Sequence, residues 1–283
     1  NCNVVVIGGG TAGLEAACTA AEVGCNTFLL EKGNELGGLA SLISRIPAKN
    51  RLADFPHYLM HRAEQLENLY IFKNTEGTPE NIRKFHPNII VSSTGSAPLL
   101  PPITGLKDRI DNENYNIYSI LGMISHINDF PKDLEGKKVV VVGGGAVGLD
   151  VVEFFADRNA DISIVEMMDQ IGRDLDPVSK NDTKTMMKKH NVHQLTKTAL
   201  LEVKDSSFLV KGDGEPYELP FEYGFVCLGM RAQGQLYQNL TEEFSSEDVE
   251  IMNIGDSQRA RRIIDGTQEG RNILTILEQR GYL

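Results

Sequence analysis

Two short stretches carry the residues best suited to chemistry. Val4-Val5-Val6-Ile7 runs into Gly8-Gly9-Gly10-Thr11-Ala12-Gly13, and Val139-Val140-Val141-Val142 runs into Gly143-Gly144-Gly145-Ala146-Val147-Gly148. In a G-x-G-x-x-G turn the first glycine makes the tight turn, the second admits a pyrophosphate to the backbone, and the third lets helix and strand pack closely. Gly8, Gly10 and Gly13 fill these roles once, and Gly143, Gly145 and Gly148 fill them again. Free N–H groups where the next helix opens, at Ala12 in one copy and at Ala146 and Val147 in the other, would hold phosphates with the help of the helix dipole. Glu31 and Glu166 each lie 18 residues after the third glycine. There a carboxylate accepts hydrogen bonds from a ribose diol. It also repels a 2′-phosphate, so Glu166 favours NADH over NADPH. The chemistry is dinucleotide binding, and no side chain stands out as an obligatory acid, base or metal ligand.

Those residues must be placed by strands and helices, and the sequence repeats the means of doing so. An offset of 135 carries Val4–Glu15 onto Val139–Asp150 and Leu29-Leu30-Glu31 onto Ile164-Val165-Glu166. An offset of 134 carries Thr94-Gly95, after Ile89-Ile90-Val91, onto Leu228-Gly229, after Phe225-Val226-Cys227. Each copy reads as an apolar strand, a glycine turn, a helix (about 12–23 and 146–158) and a second apolar strand (27–30 and 162–165). Short Val- and Ile-rich runs of this kind are expected of a parallel sheet covered on both faces. The fold class is therefore α/β with two Rossmann-like lobes, in keeping with 283 residues, about twice the length of a typical domain. A third helix is expected over 177–190, with Met186 and Met187 in its packing.

Composition excludes other classes. Hydrophobic residues at 41% and charged residues at 24% suffice for a core. A formal charge of −11 opposes attraction to a phosphate backbone, so nucleic acid is not an expected partner. No apolar run approaches a membrane span, no signal peptide opens the chain, and a cytoplasmic location is expected. The chain has no initiator Met and opens directly on an apolar strand, so it is expected to be part of something longer. Cys2, Cys18, Cys25 and Cys227 show no C-x-x-C or zinc spacing, which fits a reducing compartment. Cys227 reads as a buried, inert thiol. His57 and His61, near Glu64, read as a partly exposed pair rather than a metal site. Arg259, Arg261 and Arg262 read as solvated charges.

The sequence resembles the two-dinucleotide-binding flavoproteins of the glutathione reductase type. Thr94-Gly95-Ser96-Ala97-Pro98 is similar to their A-T-G-x-x-P crossing segment, and Ile251-Met252-Asn253-Ile254-Gly255-Asp256 to their late strand ending in Gly-Asp. The resemblance implies FAD in the first lobe, contacted by Asp256, and NAD(H) in the second, with the NAD domain (104–232) inserted between two parts of the FAD domain (1–103 and 233–283). It is closer to the C-terminal portion of one branch, the NADH:flavin oxidoreductases that include 2,4-dienoyl-CoA reductase and trimethylamine dehydrogenase. Glu31-Lys32-Gly33-Asn34-Glu35-Leu36-Gly37-Gly38 resembles the branch's E-K-x-x-x-L-G-G loop, and Pro101-Pro102-Ile103-Thr104-Gly105 its P-P-I-x-G segment. Ile263–Gly270 resembles the closing helix. The resemblance thus adds Lys32, Gly38, Thr94, Gly95, Gly255 and Asp256 to the FAD site and Gly229 to the NADH site. It departs from the usual pattern at Thr11, Leu39 and Ala232.

What is missing shapes the expected mechanism. Without a C-x-x-C pair beside the flavin, direct thiol–disulfide catalysis has no nucleophile. The branch's FMN barrel and four-cysteine iron–sulfur run are not in this sequence either. Hydride transfer from NADH to the N5 position of FAD remains, with electrons leaving toward an FMN/iron–sulfur domain or partner. The alternative is a non-redox nucleotide-binding module with ADP in the first site.

Overall fold

A computed structural model describes residues 2–283. The chain forms two compact units: the chain up to Arg45 with Lys49–Ala97 and Arg231–Leu283, and Pro98–Met230 with Ile46–Ala48. In chain order the first segment contributes β1 (Asn3–Ile7), α1 (Thr11–Glu22), β2 (Asn26–Leu30), α2 (Gly38–Ile43), α3 (Asp54–Glu64), β3 (Leu69–Phe72), α4 (Pro79–Arg83), β4 (Ile89–Ser92) and the crossing strand β5 (Ser96–Pro98). The middle segment contributes α5 (Leu106–Arg109), β6 (Ile117–Tyr118), α6 (Ile120–Ser125), β7 (Lys138–Val142), α7 (Ala146–Ala156), β8 (Asp161–Val165), α8 (Pro177–Lys189) and β9 (His193–Leu195). It continues through β10 (Ala199–Val203), β11 (Ser207–Lys211), β12 (Tyr217–Pro220), β13 (Tyr223–Val226) and the return crossing β14 (Met230–Ala232), which pairs with β5. The last segment adds α9 (Gln235–Glu243), β15 (Glu250–Asn253), α10 (Ile263–Arg271) and α11 (Ile273–Gln279).

The first unit is built on a parallel sheet of order β15-β4-β1-β2-β3. Its central strands are apolar through most of their length, Val4–Ile7, Phe28–Leu30 and Ile89–Val91, because both faces are covered. Val4, Val6, Leu29, Ile89 and Val91 pack with Leu14, Leu59, Ile273 and Leu277 on the side of α1, α3 and α11. Val5, Ile7, Leu30 and Ile90 pack with Ile82, Leu240 and Phe244 on the side of α4 and α9. The small residues of α1 let α10 lie close: a Cβ on Gly270 would stand 2.8 Å from the Ala12 carbonyl oxygen.

In the second unit the parallel sheet has the order β6-β13-β7-β8-β9. A three-stranded antiparallel sheet, β10-β11-β12, covers one face, where Phe208 and Val210 meet Val140, Val142 and Val226. Ile103 and Leu106 join this same cluster, which ties the Pro101–Gly105 segment to the second unit. Phe155 lies tilted against Phe225 and edge-to-face with Phe130, 4.8 and 5.1 Å between ring centroids. No helix among the described residues is long and apolar enough to cross a membrane.

Candidate cofactor-binding sites

Both glycine loops sit between the end of a central strand and the start of a helix, in β1–α1 and in β7–α7. The three glycines of each loop are held for three different reasons. Gly8 and Gly143 have φ of +101° and +108°, and a Cβ there would lie 2.2 Å from the Ser93 carbonyl oxygen or 1.9 Å from that of Cys227. A Cβ on Gly13 or Gly148 would lie 1.9 Å from the carbonyl oxygen of Gly8 or Gly143, respectively. The middle member behaves otherwise. Around Gly145 nothing lies within 4 Å of a Cβ position, and around Gly10 only the Gly38 Cα does, at 3.9 Å. Internal packing does not require a glycine at these two positions. They leave a cradle that an approaching pyrophosphate would occupy.

The helices that follow present unmet donors. Gly10 and Gly145 are extended N-cap residues with no side-chain cap, and neither helix has an acidic residue in its first turn. Three other helices are capped by side chains: Thr78 accepts from the Asn81 N–H at α4, Ser119 from Gly122 at α6, and Asp176 from Val178 and Ser179 at α8, whereas α2, α3, α5, α9 and α11 have no such cap. The free N–H groups at the α1 and α7 starts suit an anion.

The acidic residues are fixed in the same way twice. Glu31 accepts from the Gly9 N–H through Oε2 (2.8 Å) and from the Gly33 N–H through Oε1 (2.7 Å). Glu166 accepts from Gly144 through Oε2 (2.8 Å) and from Met168 through Oε1 (2.8 Å). A carboxylate offers about four lone-pair sites. Two are used here, and two remain for a diol. The loops then close on themselves: the Gly37 N–H donates to the Gly9 carbonyl (2.8 Å), and the Gly172 N–H to that of Gly144 (2.7 Å). The floor repeats too. Asn74 N–H donates to Gly33 O and Thr75 N–H to Glu31 O, both at 2.9 Å, while Lys197 N–H donates to Met168 O and Thr198 N–H to Glu166 O, at 2.8 and 3.0 Å. Asn74 and Lys197 share a left-handed backbone, φ 51° and 49°.

In the first unit the predicted residues converge on the α1 start. A Cβ on Gly255 would lie 2.9 Å from that of Ala12, and one on Gly38 would lie 2.9 Å from the Gly10 Cα. Asp256 accepts from Ser96 Oγ (3.2 Å) and from the Arg261 N–H (3.1 Å). Thr94 Oγ1 donates to the Gln233 carbonyl (2.8 Å), and the Gln233 N–H donates to the Gly95 carbonyl (3.0 Å). Lys32 is exposed on the Glu31 loop. In the second unit Gly145 and Ala146 are exposed, Val147 is half-buried and Gly148 is buried. Gly229, at φ +97°, accepts from the Leu99 N–H (2.9 Å).

Sequence reasoning missed the residues that lock the carboxylates, Gly9, Gly33, Gly144 and Met168, and those that close the loops, Gly37 and Gly172. One signal was available, since Gly9 with Gly144 and Gly37 with Gly172 obey the same offset of 135 as the phosphate-loop glycines. The Asn74–Lys197 correspondence follows an offset of 123 and shares no residue type, so only the backbone reveals it. Away from the loops, His61 lies 3.7 Å from Glu64, with both side chains exposed. Arg261 pairs with Glu269, and Arg262 with Asp265 (3.2 Å). Cys227 is buried, and burial pushes its thiol up to about 12.

Two parallel-sheet units, each with a glycine turn, an uncapped helix start and a locked carboxylate, define an α/β protein of the Rossmann-like dinucleotide-binding class. The chain belongs to the pyridine nucleotide-disulphide oxidoreductase family, whose model matches residues 2–251. This is a family of flavin-dependent NAD(P)H oxidoreductases. Among curated relatives, an NADH oxidase of Thermoanaerobacter brockii is 28% identical over 268 residues, 94% of this chain and 40% of the relative. A bilirubin reductase of Mediterraneibacter gnavus is 28% identical over 94% of this chain and 39% of its own. Among solved structures, a 2-naphthoyl-CoA reductase complex superposes with a TM-score of 0.80 at 23% identity, covering 95% of this chain and 39% of that one. A histamine dehydrogenase from Rhizobium sp. 4-9 gives 0.81 at 18% identity, covering 96% and 41%. The chain spans about two fifths of the length of these relatives.

Proposed function

We propose that this chain is the NADH-to-FAD module of a larger oxidoreductase: it binds FAD in the first unit and NADH in the second, accepts hydride from NADH, and passes electrons to an FMN/iron–sulfur domain or partner outside these 283 residues. The observation that carries this reading is the duplicated cradle, in which two carboxylates are locked by the same pattern of backbone N–H groups beside two uncapped helices. Bound FAD supplies the chemistry, accepting electrons in a pair and releasing them singly. The protein's own residues bind and orient. Gly10 and Gly145 give the pyrophosphates access to the backbone, and the first N–H groups of α1 and α7 carry their charge. Glu31 and Glu166 offer their remaining lone pairs to the ribose diols. Lys32, Gly38, Thr94, Gly95, Gly255 and Asp256 line the FAD site and Gly229 the NADH site. Glu166 disfavours a 2′-phosphate by charge, and the residues after it, Met167 and Met168, are exposed and uncharged, offering no counter-cation.

The test is spectroscopic. The purified chain is expected to be yellow, and under anaerobic conditions NADH bleaches the flavin band faster than NADPH does. A colourless chain that releases ADP on denaturation overturns the redox reading in favour of a nucleotide-binding module. Glu166→Ala is expected to narrow the preference for NADH over NADPH; an unchanged preference removes the role given to that carboxylate.

A further inference from the structure

Two of the four cysteines stand side by side at the end of the first sheet opposite to the glycine loop. The register of β1 and β2 pairs Asn3 with Asn26 and Val4 with Thr27, so one step back it places Cys2 beside Cys25. The Asn26 N–H donates to the Cys2 carbonyl at 2.9 Å, which fixes that register. Both side chains enter the same core cluster as Val4, Val6 and Leu29, so they point to one face. Adjacent strands run about 4.8 Å apart. A disulfide accepts Cα separations of about 4.4–6.8 Å. The two thiols are free.

We propose that Cys2 and Cys25 form a reversible dithiol–disulfide site that hydrogen peroxide oxidises and a small dithiol reduces. Cys25 sulfur attacks a peroxide oxygen, the O–O bond breaks, and Cys25 becomes a sulfenic acid as the first water leaves. Cys2 sulfur then attacks the Cys25 sulfur, the S–S bond forms, the S–O bond breaks, and a second water carries away the hydroxyl and the Cys2 proton. In sum, the two thiols give up two electrons and two protons, and one peroxide becomes two waters. Reduction runs back by exchange through a mixed disulfide.

Three features favour this pair over the remaining cysteines. The first is electrostatic: interaction between the neighbouring thiols holds Cys25 below the ordinary thiol range and pushes Cys2 up. The attacking species is a thiolate. Cys18 instead donates to the Leu59 carbonyl, and burial pushes Cys18 and Cys227 up to about 11 and about 12. The second feature is depth: Cys2 and Cys25 are buried, 5% and 2% exposed, but Glu22, Val23 and Gly24 immediately before Cys25 are exposed, so the cover is thin and suits a small oxidant such as peroxide. The third is proximity, since a sulfenic acid at Cys25 has a second thiol at hand. The bond would close the chain from residue 2 to 25 around the whole of α1. This site does not depend on what the glycine loops bind.

The test uses the full chain treated with stoichiometric hydrogen peroxide, then alkylated under denaturing conditions and digested for mass spectrometry. The expected product is a peptide pair joined through Cys2 and Cys25 and lacking two hydrogen masses, with Cys18 and Cys227 alkylated. Dithiothreitol restores both thiols. Cys2→Ala, which removes the neighbouring thiol, is expected to slow the oxidation of Cys25 and to give no cross-linked peptide, and Cys25→Ala to leave Cys2 as a thiol. Equal oxidation of Cys18 or Cys227, or a Cys25 that is oxidised as fast in Cys2→Ala as in the wild type, overturns the proposal. The thermal midpoint is an independent readout: it rises in the oxidised wild type, returns with dithiothreitol, and is unmoved by peroxide in Cys2→Ala.

Discussion

Glycines two positions apart in each loop answer to different demands, and substitution separates them. Gly143→Ala places a Cβ 1.9 Å from a backbone oxygen at φ +108°. Backbone strain of that kind costs about 1–3 kcal/mol, so the melting temperature is expected to fall even without nucleotide. Gly145→Ala meets nothing within 4 Å. As an N-cap change it costs under about 1 kcal/mol, yet nucleotide affinity is expected to fall at least about tenfold, which is only about 1.4 kcal/mol. Calorimetric melting with nucleotide titration checks both; a Gly145→Ala chain that binds normally would remove the cradle from the phosphate site. Glu31→Ala strands the Gly9 and Gly33 N–H groups, at about 1–3 kcal/mol for a buried unpaired donor, and is expected to loosen the apo loop as well as the nucleotide. Hydrogen exchange at Gly9 reports the first effect. Gly8, Gly13, Gly143 and Gly148 were readable because the turn and the close approach of the backbone demand glycine, and both acids because they recur at one spacing after it. The locking N–H groups were not, since any residue supplies a backbone donor, and Met168 holds Glu166 as Gly33 holds Glu31.

At the scale of elements, α1 is fixed to α3 by one half-buried arginine. Arg62 donates to Glu22 (2.6 Å), Glu15 (3.0 Å) and Thr19 (3.4 Å), and Arg271 adds a contact to Glu15 from α10 at 3.3 Å. The Arg62 hydrogen bond holds the Glu22 carboxyl below the ordinary carboxylate range. Its stabilisation is therefore complete above the unfolded value of about 4.3 and is lost as pH falls through the folded one. Arg62→Met is expected to cost about 2 kcal/mol near neutrality, less than a fully buried pair, because Glu22 is 40% exposed. The deficit should shrink below about pH 4, as urea melts across pH would register. Helices α1, α7 and α8 lie within one or two residues of their sequence readings, since apolar runs, glycines and Pro177 mark their ends. The antiparallel β10-β11-β12 sheet went unread because β10 and β12 mix half-exposed and exposed positions and carry no continuous apolar run like those of β1 and β7, and β9 is three residues with two exposed. Between acid and floor the first unit carries twelve residues more than the second, and this region holds α2 and α3 in place of α8. A length difference of that size obscures a repeat that backbone hydrogen bonds preserve.

For the whole molecule, two units with separate cores predict that heat does not unfold the chain in one step. With NADH at a hundredfold excess over its dissociation constant, the unit containing Pro98–Met230 is expected to gain about 2.7 kcal/mol. The other unit should keep its transition. Scanning calorimetry separates the two, and an equal shift in both would deny NADH its assignment to the second unit. The proposed division of labour also predicts that the chain reduces an artificial dye with NADH but none of the organic compounds named for its longer relatives. Finally, the Gly9–Gly37 and Gly144–Gly172 bridges close both loops within the polypeptide itself. An arriving nucleotide finds little backbone freedom left to freeze. Association should then proceed in one kinetic phase, linear in ligand concentration, with the small heat-capacity change of docking rather than the large one of coupled folding.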